Sequence, residues 1–179
     1  MGAAAPGVAM DIHTLSVLAI ALIACVFDIR TRRIPNLLTF GAAIAAGALN
    51  LVVGGLSGLG WSTVGWLVPV LLFLPFFALQ GLGAGDVKLL GALGAWLGPL
   101  NALYLAFFTA LAGGVAALLV VCFRGYVRQA FGNLRLLFTH WWIAGMRPLP
   151  ELTLNGGRSP RVAYAIPIAV GTVATLWLR

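Results

Sequence analysis

Long apolar runs separated by short polar stretches make up most of this 179-residue sequence. Several runs reach the length of about 17–25 residues that a helix needs to cross the hydrocarbon core of a bilayer. We predict six membrane helices, of which the fourth is too short to cross alone and stops at Gly98-Pro99. Their predicted bounds are about Ile12 to Phe27, Leu37 to Val53, Val64 to Leu79, Val87 to Leu97, Leu100 to Phe123 and Val162 to Leu178.

The composition supports this pattern. The chain is 61% hydrophobic and 8% charged, whereas a soluble domain carries about 25% charged residues. We therefore expect an all-α polytopic membrane protein, formed by a single domain over residues 1–179 with a basic loop at about 124–161. Cys25 and Cys122 lie inside apolar runs and behave there as small hydrophobic residues. Since no CxxC pair is present, neither a metal nor a cofactor is expected.

The charge is strongly basic, with 11 Lys and Arg against 4 Asp and Glu. Nucleic-acid binding is not expected, because no basic cluster is interleaved with aromatic residues. Membrane proteins instead keep Lys and Arg in their cytoplasmic loops. An N-out, C-out arrangement of six spans puts ten of the 11 basic residues inside and only Arg179 outside. The stretch 54–62, an uncharged glycine-rich turn between the second and third helices, then lies outside.

Two of the four acidic residues stand at the edges of apolar runs, where a carboxylate is costly unless it faces protein or water. Asp28 follows the first predicted helix and Asp86 precedes the fourth. In the predicted topology both lie at the cytoplasmic face, at one depth. Two carboxyls brought together share a proton, so that one serves as general base and the other as general acid. Asp28 and Asp86 are therefore candidates for a catalytic pair.

Position alone leaves structural roles open for both acids. Asp28 could pair with Arg30 or Arg32, and Asp86 could cap the fourth helix, whose dipole favours an acid there. Asp11 is a weaker candidate, because the 17 residues between it and Asp28 correspond to about 25 Å along a helix. That distance places Asp11 at the opposite membrane face.

The sequences around the two acids resemble those of the type IV prepilin peptidases, a family of GxGD membrane aspartic proteases. The run Gly-Ala-Gly-Asp-Val-Lys from Gly83 to Lys88 is similar to that family's GxGDxK signature. The run from Asp28 to Asn36, Asp-Ile-Arg-Thr-Arg-Arg-Ile-Pro-Asn, is similar to its first acidic motif. The resemblance covers about residues 12–123.

The resemblance implies that Asp28 and Asp86 are the catalytic aspartates of a protease in the bacterial inner membrane. The family removes the short basic leader of prepilins at the cytoplasmic membrane face. This chain looks like the short, peptidase-only members of tight-adherence (Flp) pilus systems, so methyltransferase activity is not expected. The implied partners are prepilin substrates, membrane lipids and pilus-assembly machinery.

Three motif residues beside Asp86 have two interpretations each. Gly83 and Gly85 could leave room for an extended substrate strand, or could simply make the entry to the helix flexible. Lys88 could anchor the helix at the membrane interface, or could contact the substrate or a lipid. The sequence does not decide between these interpretations.

Two other functions agree with parts of the sequence. The run Gly-Leu-Ser-Gly from Gly55 to Gly58 resembles the GxSG of rhomboid serine proteases, whose mechanism needs a histidine close to Ser57. The two histidines are His13, at the start of the first helix, and His140, in the long loop. The other function is a small transporter or a pilus-assembly scaffold, which interrupted helices would suit.

Overall fold

Five helices form the part of the chain that the computed structural model describes, residues 12–79, 81–123 and 164–178. They are α1 (Ile12–Thr31), α2 (Asn36–Ala78), α3 (Ala84–Leu97), α4 (Pro99–Phe123) and α5 (Ala165–Trp177). The predicted all-α class is confirmed. By length and composition, α1, α2 and residues Pro99–Val120 of α4 can each cross a membrane. The six-span count and the orientation stay predictions, and the loop at 124–161 lies outside the described residues.

Helix α1 is four residues longer than predicted and ends at Thr31 instead of Phe27. The polar residues that close the apolar run are compatible with helix, so the end of the run is not the end of the helix. The backbone reverses at Arg32, whose φ of 53° is left-handed and whose N–H donates to the Asp28 carbonyl at 2.9 Å. As a result, Asp28 lies in the last turn of α1 and not beyond it.

Helix α2 is bent at Gly55, where φ is 60° and ψ is −149°. Glycine adopts this conformation without the steric cost that a side chain would add. The halves on either side pack together, since a Cβ on Gly58 would overlap the Asn50 carbonyl oxygen. The second and third predicted helices correspond to these halves. The predicted turn at 54–62 was too long, because only Gly55 departs from helical geometry.

Helix α3 lies inside the bundle. Every residue from Leu89 to Leu97 is buried, while α1, α2, α4 and α5 all carry exposed large apolar side chains. The predicted stop at Gly98-Pro99 is confirmed. Helices α2 and α3 approach closely at Gly65 and Gly94, where a Cβ on either glycine would overlap the other's carbonyl oxygen. Small residues allow such close packing between membrane helices.

Helix α5 packs along α4 and against α1. A Cβ on Gly171 would overlap the Thr109 hydroxyl, and one on Gly113 would lie 2.5 Å from the Tyr164 hydroxyl. These small residues allow α5 to lie close to α4. They bring the first turn of α5 to the end of α1 that carries Asp28.

Candidate active site

The Asp28 carboxyl lies in the interior, with only 8% of the residue exposed. Its Oδ2 atom accepts a hydrogen bond from the backbone N–H of Ala165, the first residue of α5, at 3.1 Å. One turn earlier on α1, the Cys25 thiol donates to the carbonyl oxygen of the same Ala165, also at 3.1 Å. Both backbone groups of Ala165 are therefore bound by side chains of α1.

The Asp86 carboxyl lies in the first turn of α3, outside the three helices that are long enough to cross a membrane. Burial raises the pKa of this carboxyl, and the negative charge of Asp28 raises the pKa further. Hydrogen bonding by the Gly83 backbone acts in the opposite direction and does not cancel the rise. Asp86 thus stays protonated to a higher pH than a solvated aspartic acid does.

Antiparallel packing of α1 against α3 brings the two acids to one end of the bundle. At the opposite end, the His13 ring Nδ1 atom lies 3.0 Å from the Trp96 carbonyl oxygen. His13 begins α1 and Trp96 is near the end of α3, so the last turn of α1 faces the first turn of α3. The predicted common depth of Asp28 and Asp86 agrees with this arrangement.

The two motif glycines differ in what surrounds them. A Cβ on Gly83 would lie 2.9 Å from the Oδ2 atom of Asp86, so this glycine leaves the space that the carboxyl occupies. A Cβ on Gly85 would lie 3.3 Å from the Cβ of Ile34, a tight contact with the segment between α1 and α2. Gly83 therefore leaves room for the Asp86 carboxyl. Gly85 allows the start of α3 to lie close to the segment between α1 and α2.

The Lys88 side chain contacts the start of α2. Its Nζ donates to the Asn36 side-chain oxygen at 3.0 Å and lies 5.0 Å from the centre of the Phe40 ring. A cation over an aromatic face is attracted to it. Lys88 thus ties α3 to α2 in this structure.

Three residues of α1 and α5 were not predicted as part of the site. The sequence indicated only a small hydrophobic role for Cys25. Ala165 takes part through its backbone, and a backbone contact cannot be predicted from the residue type. Tyr164 is half-buried beside them; burial raises the pKa of its hydroxyl, and the charge of Asp86 raises the pKa further. The three-residue spacing of Cys25 and Asp28 puts them on one helix face. That spacing was the one sequence feature that could have indicated a role for Cys25 in the site.

The serine-protease alternative finds no matching geometry in the described residues. Ser57 and His13 line one cavity of about 410 Å³ with Asn50 and Trp61. The Ser57 hydroxyl donates to the Gly54 carbonyl at 2.7 Å, while the His13 ring is hydrogen-bonded to Trp96. Neither side chain is hydrogen-bonded to the other in the described ranges. The second histidine, His140, lies outside these ranges.

Two features of the described residues bear on the chemistry of this end of the bundle. Residues 12–79, 81–123 and 164–178 contain no group of three His, Cys, Asp or Glu side chains that could hold a metal ion. Two neighbouring carboxyls, one ionised and one protonated, can activate a water and polarise a carbonyl. The geometry suits acid–base hydrolysis at the end of the bundle.

Comparison with known proteins identifies the family. Neither the curated proteins nor the solved structures gave a match to this chain. The model of the type IV leader peptidase family matches residues 15–118, a span that contains both aspartates and the motifs around them. Because this match covers more than half of the sequence, the chain belongs to the type IV leader peptidase family.

Proposed function

We propose that this peptidase is an aspartic endopeptidase whose catalytic pair is Asp28 and Asp86. The observation that carries the proposal is that the packing of α1 against α3 places two carboxyls, from elements far apart in the sequence, at one end of an apolar bundle. Asp28 is buried, and the pKa of Asp86 is raised by burial and by the charge of Asp28. Residues whose ionisation is displaced by burial and by a charged neighbour are concentrated in functional sites.

The proposed reaction is hydrolysis of a peptide bond by an activated water. The ionised carboxyl removes a proton from the water molecule. The oxygen of that water attacks the scissile carbonyl carbon. The protonated carboxyl donates a hydrogen bond to the carbonyl oxygen, on which negative charge develops. The resulting tetrahedral intermediate collapses when the leaving nitrogen receives a proton from the pair. No covalent bond between enzyme and substrate is formed.

We propose the short basic leader of an Flp-type or type IV pilin-like prepilin as the substrate. The support is the similarity of Gly83–Lys88 and Asp28–Asn36 to the motifs of prepilin peptidases. The proposed site faces the cytoplasm, because Arg30, Arg32, Arg33 and Lys88 lie near the same end of the bundle and basic residues favour that side. Cleavage would then occur where the leader meets the pilin's hydrophobic helix.

Co-expression with candidate small pilins tests this function, with leader removal measured from the mass of the pilin. The wild-type protein should shorten the pilin by the mass of its leader. Asp86→Asn should leave it uncut while inserting into the membrane at the same level. If a pilin that the wild type shortens is shortened equally by Asp86→Asn, the aspartic mechanism is wrong. If no small pilin is cut, the proposed substrate is wrong, and a transporter or scaffold gains support.

A further inference from the structure

We propose that the first turn of α5 is a positioning element of the active site, in which the backbone N–H of Ala165 holds Asp28 as the ionised base of the pair. This inference rests on the proposed function and adds a division of labour to it. The hydrogen bond at 3.1 Å between Ala165 and the Asp28 Oδ2 atom carries the argument. Ala165 itself acts through Asp28 and has no contact with the reacting atoms.

An ionised Asp28 needs compensation in this place. Asp28 lies in the last turn of α1, where the carbonyl groups make the negative end of the helix dipole. It is also largely shielded from water, with 8% of the residue exposed. Both conditions disfavour a negative charge. The start of α5 supplies the opposite field, because its unpaired N–H groups form a positive helix end.

A second contact fixes the first residue of α5 in register with α1. The Cys25 thiol donates to the Ala165 carbonyl oxygen at 3.1 Å, one turn before Asp28. Residues three apart on a helix share a face, so Cys25 and Asp28 hold the two backbone groups of Ala165 together. The N–H of Ala165 is therefore directed at the carboxyl by a two-point contact.

The other acid of the pair is suited to the protonated role. Asp86 also lies at a helix N-terminus, the first turn of α3, where a negative charge is favoured. Burial and the charge of Asp28 nevertheless raise its pKa. A protonated Asp86 beside an ionised Asp28 gives each carboxyl one task in the reaction.

The charged and titratable groups around Asp28 come from three elements. Asp86 comes from the first turn of α3, Tyr164 immediately precedes α5, and Cys25 lies on α1 itself. The arginines at positions 30, 32 and 33 are exposed around the end of α1. A substitution at Ala165 that removes its N–H changes none of these side chains, but a proline there also restricts the backbone of Tyr164.

Proline at position 165 removes the donor in one substitution. The first turn of a helix accepts proline, because its N–H groups have no partner inside the helix. The matched control is Ile166→Pro, which removes the next N–H of the same turn and keeps the one that binds Asp28. The Ile166 side chain is 47% exposed, so its loss disturbs little packing.

Purified Ala165→Pro and Ile166→Pro should be compared with the wild type in nanodiscs, on a pilin that the wild type cleaves. We expect Ala165→Pro to lower kcat about 10- to 100-fold, the range for a lost hydrogen bond to a charged group, with KM unchanged. Ile166→Pro should keep the wild-type kcat.

A folded Ala165→Pro protein with wild-type kcat would overturn the positioning role. Folding is checked by thermal unfolding, because Tyr164 has helical angles that a following proline disfavours. If Ala165→Pro does not fold, Cys25→Ala and Cys25→Ser decide. The alanine should lower kcat about two- to five-fold, as expected for a weak hydrogen bond, and the serine should restore it; equal activity of Cys25→Ala and wild type rejects the role.

The same preparation separates this inference from the function on which it rests. Asp28→Asn is measured alongside the proline variants. If Asp28→Asn cleaves normally, the proposed aspartic mechanism has failed. If Asp28→Asn is inactive while the folded Ala165→Pro protein behaves like the wild type, the mechanism stands and only the role of α5 is rejected.

Discussion

At the scale of single residues, the space around Asp86 depends on the absence of a side chain at Gly83. We predict that Gly83→Ala lowers the cleavage rate about 10- to 100-fold, the order expected when a reacting group is displaced by about 1 Å. The added Cβ would lie 2.9 Å from the Asp86 Oδ2 atom, so the carboxyl must move. The measurement is kcat on a purified pilin, with thermal unfolding recorded for the same samples.

Gly85→Ala provides the comparison for that prediction. Its Cβ would meet Ile34 at 3.3 Å, away from the carboxyl, and alanine favours the helix by up to about 1 kcal/mol over glycine. We expect a smaller loss of activity and little change in stability. Equal activity of Gly83→Ala and wild type would show that the carboxyl tolerates the displacement, and the account of Gly83 would then be wrong.

The pH dependence of cleavage tests the raised pKa of Asp86. Burial and the charge of Asp28 raise that pKa, so Asp86 stays protonated to a higher pH than a solvated aspartic acid does. The pair needs one protonated member, and activity should therefore fall as pH rises through this raised pKa. We predict a bell-shaped pH–rate profile whose descending limb lies above the range of an ordinary carboxyl.

Two controls accompany the pH–rate profile. Thermal unfolding across the same pH range separates loss of chemistry from loss of structure. The limbs are assigned to the pair and not to either acid alone, because the two ionisations are coupled. A rate that keeps climbing with pH would indicate a base that needs no protonated partner, contrary to the shared-proton mechanism.

At the scale of helices, the contact between α2 and α3 depends on Gly65 and Gly94. We predict that Gly94→Val destabilises the protein by about 1–3 kcal/mol, the usual cost of overpacking. A Cβ at Gly94 would overlap the Gly65 carbonyl oxygen, so the helices must separate. Thermal unfolding in detergent measures the effect.

Gly41→Ala is the matched control for helix packing. Gly41 is exposed on α2, and a Cβ there would meet nothing within 4 Å. Its stability should equal or slightly exceed that of the wild type, since alanine is the better helix former. If Gly94→Val were as stable as Gly41→Ala, the close approach of α2 and α3 would not matter for folding.

The sequence predicted most helices because apolar runs end at residues that interrupt helices. The stop of α3 at Gly98-Pro99 is one example, and the opening of α2 after Pro35 is another. The turn around Gly55 was predicted too long, because a single glycine can reverse the chain without further polar residues. The end of α1 was placed too early, because the polar residues Asp28, Arg30 and Thr31 are still compatible with a helix.

The candidate acids could be found from the sequence for two reasons. A carboxylate at the edge of an apolar run is energetically costly, and the motifs around both acids resemble those of a known family. The role of Ala165 could not be found in this way, because a backbone N–H belongs to every residue except proline and only the fold shows where it points. The spacing of Cys25 and Asp28 indicated that they share a helix face. The hydrogen bond of Cys25 to Ala165, however, depends on a helix more than a hundred residues later in the chain.

At the scale of the whole molecule, the basic residues predict which end of the bundle faces the cytoplasm. We predict that a cysteine at position 57 reacts with a membrane-impermeant thiol reagent from the periplasm. A cysteine at position 150, outside the described residues, should react only from the cytoplasm. The background carries Cys25→Ser and Cys122→Ala, so that the introduced thiols are the only ones.

Cleavage by that background protein is the control that its fold is intact. Ser57 is exposed in the structure, so its thiol replacement is accessible to a reagent on that side. The reverse labelling pattern would put Asp28 and Asp86 at the periplasmic end. A cytoplasmic leader could not reach them there, and the proposed substrate would have to be abandoned.

The most direct test of the paired aspartates is the cleavage rate of Asp28→Asn, Asp86→Asn and the double variant, each purified and folded, on one pilin. If the two acids act as a unit, each single substitution should lower the rate by about 10²–10⁴-fold. The double variant should then be no slower than the slower single variant. Asp11→Asn, which removes an acid outside the pair, should cleave at nearly the wild-type rate. Near-normal cleavage by either folded single variant would contradict the assignment of Asp28 and Asp86 as the catalytic pair.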